Sequence, residues 1–133
     1  MALVPDVSAI VALALTDEDG DYAISVIEAI TQSEAVVPTL FWFELRNVLI
    51  IGERRGRLTP DRTSAFLAAL AVLPFTVDDQ PRESVILDFA RRFDLTIYDA
   101  AYLELAQRRG LTLATLDRAL MRAAGPASVS MFR

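Results

Sequence analysis

Apolar positions along this chain switch repeatedly between strand-like runs and helical spacing. Leu3-Val4-Pro5 is a short apolar run ending at Asp6 and predicts a brief first strand. A helix is expected from near Ser8, whose hydroxyl suits a cap. Asp17 to Asp21, with Gly20 inside it, reads as an acidic turn, after which Ala23, Val26, Ile27 and Ile30 mark the face of a second helix. Ala35 to Pro38 predicts the second strand. Phe41, Leu45, Val48 and Leu49 then recur at helical spacing down to Arg54, with Gly56 as the stop. Thr59-Pro60-Asp61 joins a capping residue, a first-turn Pro and a first-turn acid, so the next helix should run to about Ala71.

The second half continues the alternation. Val72 to Val77 predicts a third strand that tolerates Pro74 at an edge or start. Asp78-Asp79-Gln80-Pro81 reads as the opening of a helix that turns Val85, Ile86 and Phe89 inward and carries Arg91-Arg92 near its end. Thr96 opens a further helix to Arg109, terminated by Gly110. Leu111 to Thr115 predicts a fourth strand, Asp117 to Ala124 a short helix closed by Gly125-Pro126, and Val129 to Phe132 a last edge strand. Strands alternating with helices predict an α/β sandwich around a mainly parallel sheet, and no repeat or linker divides residues 1–133 into a second domain.

Composition narrows the chemistry. At 133 residues and 53% hydrophobic, the chain can bury a core and is too apolar for intrinsic disorder. It has no Cys and no His, and all 13 basic residues are Arg. Disulfides, thiolate nucleophiles, imidazole acid–base chemistry, Schiff bases and a phosphate-loop lysine are therefore excluded. Carboxylates, hydroxyls and Arg remain, a set that suits hard cations with oxygen ligands. The apolar stretch Ala9 to Leu15 is flanked by acids and lacks a basic leader, and no apolar run approaches the roughly 18 residues of a membrane span. A cytoplasmic location without membrane contact is expected.

In a parallel sheet, ligands bind outside the C-terminal ends of the strands. Asp6 ends the first strand, Glu44 lies in the first turn after the second, and Asp117 follows the fourth. Asp99 begins the helix feeding the fourth strand, so it joins the others if Phe93 to Ile97 returns the chain to that edge. Asp6 follows Leu3-Val4, precedes an apolar helix and is expected close to the core, whereas the other three acids also have a local reading. Asp99 completes a Thr-x-x-Asp variant of the capping box with Thr96, Asp117 suits a helix cap, and Glu44 opposes a helix dipole. Gathered together, four carboxylates repel one another, and a divalent cation relieves that repulsion, which points to Mg²⁺ or Mn²⁺. Ser8, Asn47 and Thr115 are placed to orient the acids, with capping for Ser8 and β-propensity for Thr115 as the plainer alternatives.

Four blocks carry a resemblance: Leu3-Val4-Pro5-Asp6-Val7-Ser8, Glu44-Leu45-Arg46-Asn47-Val48-Leu49, Tyr98-Asp99-Ala100-Ala101-Tyr102-Leu103-Glu104-Leu105-Ala106 and Leu113-Ala114-Thr115-Leu116-Asp117-Arg118-Ala119-Leu120. In this order they resemble the PIN-domain family and, within it, the VapC-type toxins of toxin–antitoxin pairs. The resemblance implies a three-layer α/β/α sandwich with a central parallel sheet of about five strands. It implies that Asp6, Glu44, Asp99 and Asp117 bind one or two Mg²⁺ or Mn²⁺ ions. It also implies an endoribonuclease acting on structured RNA such as tRNA or rRNA, a homodimer, and a small antitoxin that blocks the acidic pocket with a basic side chain. Pro5, where a strand residue normally precedes the first acid, is the local departure.

On that reading Asp6, Asp99 and Asp117 hold the main cation, and Glu44 binds a second ion or positions the attacking water. Hydrolysis then leaves a 3′-hydroxyl and a 5′-phosphate. A net charge of −5 opposes nucleic-acid binding as a total, but the Arg residues cluster. Arg46, Arg54, Arg55 and Arg57 surround the helix after the second strand, Arg108 and Arg109 end a later one, and Arg118 adjoins Asp117. Trp42 and Phe43 fit a core or an interface, and Tyr98 and Tyr102 fit packing or base stacking. The rival reading is a catalytically silent domain that binds a basic peptide or antitoxin in the same pocket. A DNA-directed nuclease is a weaker alternative, since the chain has little room for a helical arch. A nucleotide switch lacks its glycine-rich loop, and a phosphoacceptor receiver lacks its Lys.

Overall fold

The computed structural model describes residues 1–15 and 20–133. Four parallel strands form one sheet: β1 (Leu3–Pro5), β2 (Ala35–Pro38), β3 (Phe75–Asp78) and β4 (Thr112–Ala114), in the order β3-β2-β1-β4. Seven α-helices accompany them among the described residues: α1 (Ala12–Leu15), α2 (Gly20–Gln32), α3 (Phe41–Arg54), α4 (Pro60–Ala71), α5 (Glu83–Phe93), α6 (Ile97–Arg109) and α7 (Arg118–Ala124). The chain steps outward from β1 to β3 and then returns past β1 to β4. With right-handed crossovers, that reversal puts α5 and α6 on the opposite face from α1 to α4. The result is a three-layer α/β/α sandwich. No helix among the described residues is long and apolar enough to cross a membrane.

Local chemistry explains most boundaries. Thr59 accepts the Arg62 N–H at 3.2 Å and Pro60 opens α4. Gly110, at φ 64°, ends α6 in the left-handed conformation, and the Leu111 N–H reaches back to the Ala106 carbonyl at 2.9 Å. Asp94, at φ 53°, makes the equivalent turn after α5, and it is this turn that sends the chain back towards Thr96 and Asp99. The core lies on both sides of the sheet, with Val4, Ile10, Ile30, Phe41, Leu45, Leu103 and Leu113 fully buried.

Several expected boundaries move. Among the described residues the sheet has four strands and not about five, because Val129 to Phe132 forms only a single bridge, Leu113 to Met131. β3 begins at Phe75 and not Val72, after Leu73 bonds back to Leu70 at the end of α4. Asp78 ends β3 and does not open a helix; α5 starts at Glu83. β4 is trimmed to Thr112–Ala114, and Asp117 is the cap of α7 and not its first residue. The predicted acidic turn falls outside the described residues at 17–19, while Gly20 and Asp21 open α2.

Pro5 has a positional consequence. The Leu3 N–H bonds Glu34 on the β2 side and the Asp6 N–H bonds Ala114 on the β4 side. By alternation, the next amide towards β2 belongs to residue 5, where proline has none. β1 accordingly pairs with β2 at Leu3–Ala35 alone but stays in register with β4 through Pro5–Ala114. The ladder to β2 stops just before Asp6.

Candidate active site

Strand and helix ends meet at the C-terminal edge of the sheet, and four of them bring an acid. Asp6 follows β1 in extended conformation and is only 6% exposed. Its carboxylate accepts the Ala9 N–H at 3.1 Å and so caps the 3₁₀ turn Val7–Ala9, the place expected for Ser8. Ser8 Oγ instead donates to Asp6 Oδ1 at 2.6 Å, and Thr115 Oγ1 donates to Asp6 Oδ2. The same hydroxyls accept backbone N–H groups, Ser8 from Leu116 and Thr115 from Asp117, each at 2.9 Å. Asp6 is thereby fixed from three directions, and the end of β1 is tied to the end of β4.

The other acids sit on helix starts. Glu44 lies in the first turn of α3 and accepts the Tyr102 hydroxyl on Oε1 at 2.6 Å. Asp99 lies in the first turn of α6, where its N–H bonds the Thr96 hydroxyl at 3.1 Å. Asp117 caps α7 by accepting the Leu120 N–H at 2.9 Å. Capping and site roles are compatible here, because all four acids line one cavity of about 290 Å³. Among the described residues, Ser8 and Tyr102 complete its polar lining, Val7, Val11 and Val48 its apolar wall, and no Arg lines it. The cavity opens beside the boundary between β1 and β4, where the strand order reverses.

Burial and mutual repulsion act on these groups together. Desolvation pushes the Asp6 carboxyl up to about 6, with repulsion from Asp117 adding to it and the bonds from Ser8, Thr115 and Ala9 opposing it. Burial also raises Glu44, assisted by Asp99, against the bond from Tyr102. Asp99 is raised by burial and then by Asp117. A divalent cation is the group whose charge would reverse these shifts, and a set of hard carboxylate and hydroxyl oxygens fits one. As placed, no three acids among the described residues converge as a ready ligand set. The fit is therefore one of donor type and charge, with Asp6 already held in place by its hydroxyl partners.

The remaining predicted residues separate. Asn47 is exposed on α3 and forms no hydrogen bond to Glu44; Tyr102 takes that role. Arg46, Arg54, Arg55 and Arg118 are all exposed. Arg46 lies 6.0 Å over the Trp42 ring in a second groove of about 520 Å³, which also contains Phe43 and Phe75 and, among the described residues, no acid. Arg55 and Arg57 line a small cleft that shares Val48 with the acidic cavity. Arg118 begins α7 beside Asp117. Arg108 and Arg109, by contrast, are committed to ion pairs. Both bind Asp78 at 2.8 Å, and Arg108 also binds buried Glu104 at 2.6 Å. Tyr98 is 60% exposed and Tyr102 only 1%, so the two do not share an environment.

Residues 3–126 match the PIN domain family. The chain is 35% identical over 124 residues to Ribonuclease VapC3 of Pyrobaculum aerophilum, covering 90% of this chain and 92% of that one. Among solved structures, PAE2754 from Pyrobaculum aerophilum superposes with a TM-score of 0.69 at 30% identity, over 92% of this chain and 87% of the other. FitAcB from Neisseria gonorrhoeae shares the fold alone, with a TM-score of 0.66 at 16% identity over 100% and 97% of the two chains. Fold, sequence match and relatives agree, and the chain belongs to the PIN-domain family.

Proposed function

We propose that this protein is a metal-dependent endoribonuclease, the toxin of a VapC-type toxin–antitoxin pair. The observation that carries the reading is a single cavity at the strand-order reversal lined by Asp6, Glu44, Asp99 and Asp117 and, among the described residues, by no cation. The named activity of the 35%-identical relative supports RNA as the substrate, and tRNA or rRNA is the target class the family resemblance implies.

Asp6, Asp99 and Asp117 would hold Mg²⁺ or Mn²⁺, with Glu44 either at a second ion or orienting water. When bound, the ion supplies charge relief to the phosphoryl group and lowers the pKa of water. Ser8 and Thr115 keep Asp6 aimed, and Thr115 couples that aim to Asp117 through the Asp117 N–H. With no Arg in the cavity, the RNA backbone must be gripped from its surroundings. Arg46, Arg118, and Arg55 with Arg57 along the adjoining cleft are the exposed cations for that task, and Arg54 lies at the far end of α3. The same charge pattern suits an antitoxin that places a basic side chain among the acids. A second copy of the chain is the further partner that the resemblance implies.

The rival, a silent domain that only binds such a partner, draws on the absence of a ready three-acid ligand set among the described residues. Cleavage assays on RNA and single-stranded DNA, with Mg²⁺ or Mn²⁺ and with chelator, separate the readings. The nuclease reading expects RNA cleavage that chelator stops. Partner binding without cleavage of any RNA supports the silent domain, and equal cleavage of DNA contradicts the assignment to RNA.

A further inference from the structure

Glu44 differs from the other three acids in how it is held. Asp6 accepts bonds from two hydroxyls and one backbone N–H, and Asp99 and Asp117 sit on short side chains in helix-start positions. Glu44 is longer, has more rotatable bonds, and among the described residues takes its one side-chain hydrogen bond from Tyr102, at 2.6 Å across 58 positions of sequence. The Tyr102 ring is 1% exposed within the core, so it cannot swing away, and it lies three residues after Asp99 on α6. One turn of α6 thus supplies an acid to the cavity and a fixed donor to the acid opposite.

We propose that Tyr102 is the positioning residue for Glu44: its hydroxyl holds Oε1 and so fixes the orientation in which the carboxylate, with Oε2 free of that bond, is offered to a cation or to water. This deepens the metal-nuclease reading and rests on it for the identity of the cation. A tyrosine hydroxyl carries its proton across the ordinary working range, so Tyr102 serves Glu44 as a donor. Restricting a flexible carboxylate before the ion arrives removes an entropy cost from binding. A buried phenol also needs an acceptor for its own sake, and that purely structural role makes a different prediction.

The test is calorimetric titration of Mn²⁺ into wild type, Tyr102→Phe, Glu44→Ala and the double variant, with RNA cleavage kinetics in parallel. Tyr102→Phe keeps the ring and removes only the hydroxyl. Mn²⁺ affinity is expected to fall roughly 10–100-fold, kcat to fall, and KM for RNA to stay unchanged. In the Glu44→Ala background the same substitution should change nothing further. Glu44→Asp, one methylene too short to reach the phenol, should reproduce the loss while keeping the charge. Unchanged Mn²⁺ affinity in Tyr102→Phe, with only a lower melting temperature, would overturn the inference in favour of a structural pair. An equal loss in the Glu44→Ala background would overturn it too. Wild type that binds Mn²⁺ without cutting RNA overturns the nuclease reading, and the affinities alone then decide on Tyr102; wild type that binds no Mn²⁺ overturns both.

Discussion

Asp6 concentrates the tension in the site: it is buried, faces Asp117, and is held by groups that favour its charged form without fully offsetting its burial. Its carboxyl ionises near pH 6 in the folded chain against 3.8 for the ordinary group, so near neutral pH its charge opposes folding. The folded state binds the extra proton between those values, and Asp6 therefore costs less stability as pH falls from about 6 towards 4. Asp6→Asn is expected to raise cation-free stability at pH 7 by about 1–2 kcal/mol, read as the urea midpoint. The gain should shrink as pH falls from about 6 towards 4 and be gone below about 4, where the wild-type carboxyl is protonated folded or unfolded. A variant less stable than wild type at pH 7 would contradict the electrostatic description. At this scale the sequence was only partly informative. The acids were visible because each follows a strand or opens a helix, whereas the Tyr102–Glu44 bond joins residues 58 positions apart and leaves no local pattern.

Among the elements, α6 does most to organise the site. Its first turn carries Asp99, its second Tyr102, and its last turn is clamped to the end of β3 by Asp78 through Arg108 and Arg109. Buried Glu104 shares Arg108, so of the two acids in the third block of the resemblance Asp99 lines the cavity and Glu104 belongs to this clamp. Bonds from Arg108 foremost hold the Asp78 carboxyl down at about 2, below the ordinary 3.8. Stability from this clamp is present in full above about pH 4 and is lost as pH falls through 2, an order of ~2 kcal/mol. Asp78→Asn is expected to lower the melting temperature at pH 7 and to flatten its decline between pH 4 and 2. An unchanged acid limb would contradict the clamp. Helix α4 was legible to the residue because Thr59 and Pro60 act locally. Asp78 has the sequence signature of a helix opener because Asp-Asp-Gln-Pro has the composition of a cap, while the partners that define its place lie 30 and 31 positions away. The last strand failed for a related reason: Val129 to Phe132 has strand-like residues, but only Met131 bridges β4.

Across the whole molecule, the net charge of −5 has a geometry. Four acids face one cavity without a cation among its described lining residues, while exposed Arg55 and Arg57 line the adjoining cleft and exposed Arg118 follows Asp117. Such a charge distribution makes the folded state a better ligand for a divalent cation than the unfolded chain, so Mg²⁺ or Mn²⁺ should raise the melting temperature in a concentration-dependent way. Asp6→Asn should remove most of that rise, and an equal rise in both proteins would place the ion elsewhere. The layered fold and the gathering of the acids follow from strand order and strand ends, which alternating patterns encode well. The ladder stop at Pro5 also follows from sequence, but only once Pro5 is known to lie between two partner strands.

The central claim is that these acids cut RNA, and sequencing of newly formed RNA 5′ ends tests it most directly. Wild type and Asp6→Asn would each be incubated with total RNA and Mg²⁺ or Mn²⁺, after confirming that the variant is folded. The account predicts discrete 5′-phosphate ends with wild type and none above background with Asp6→Asn. The same ends produced at the same rate by the folded variant would contradict it.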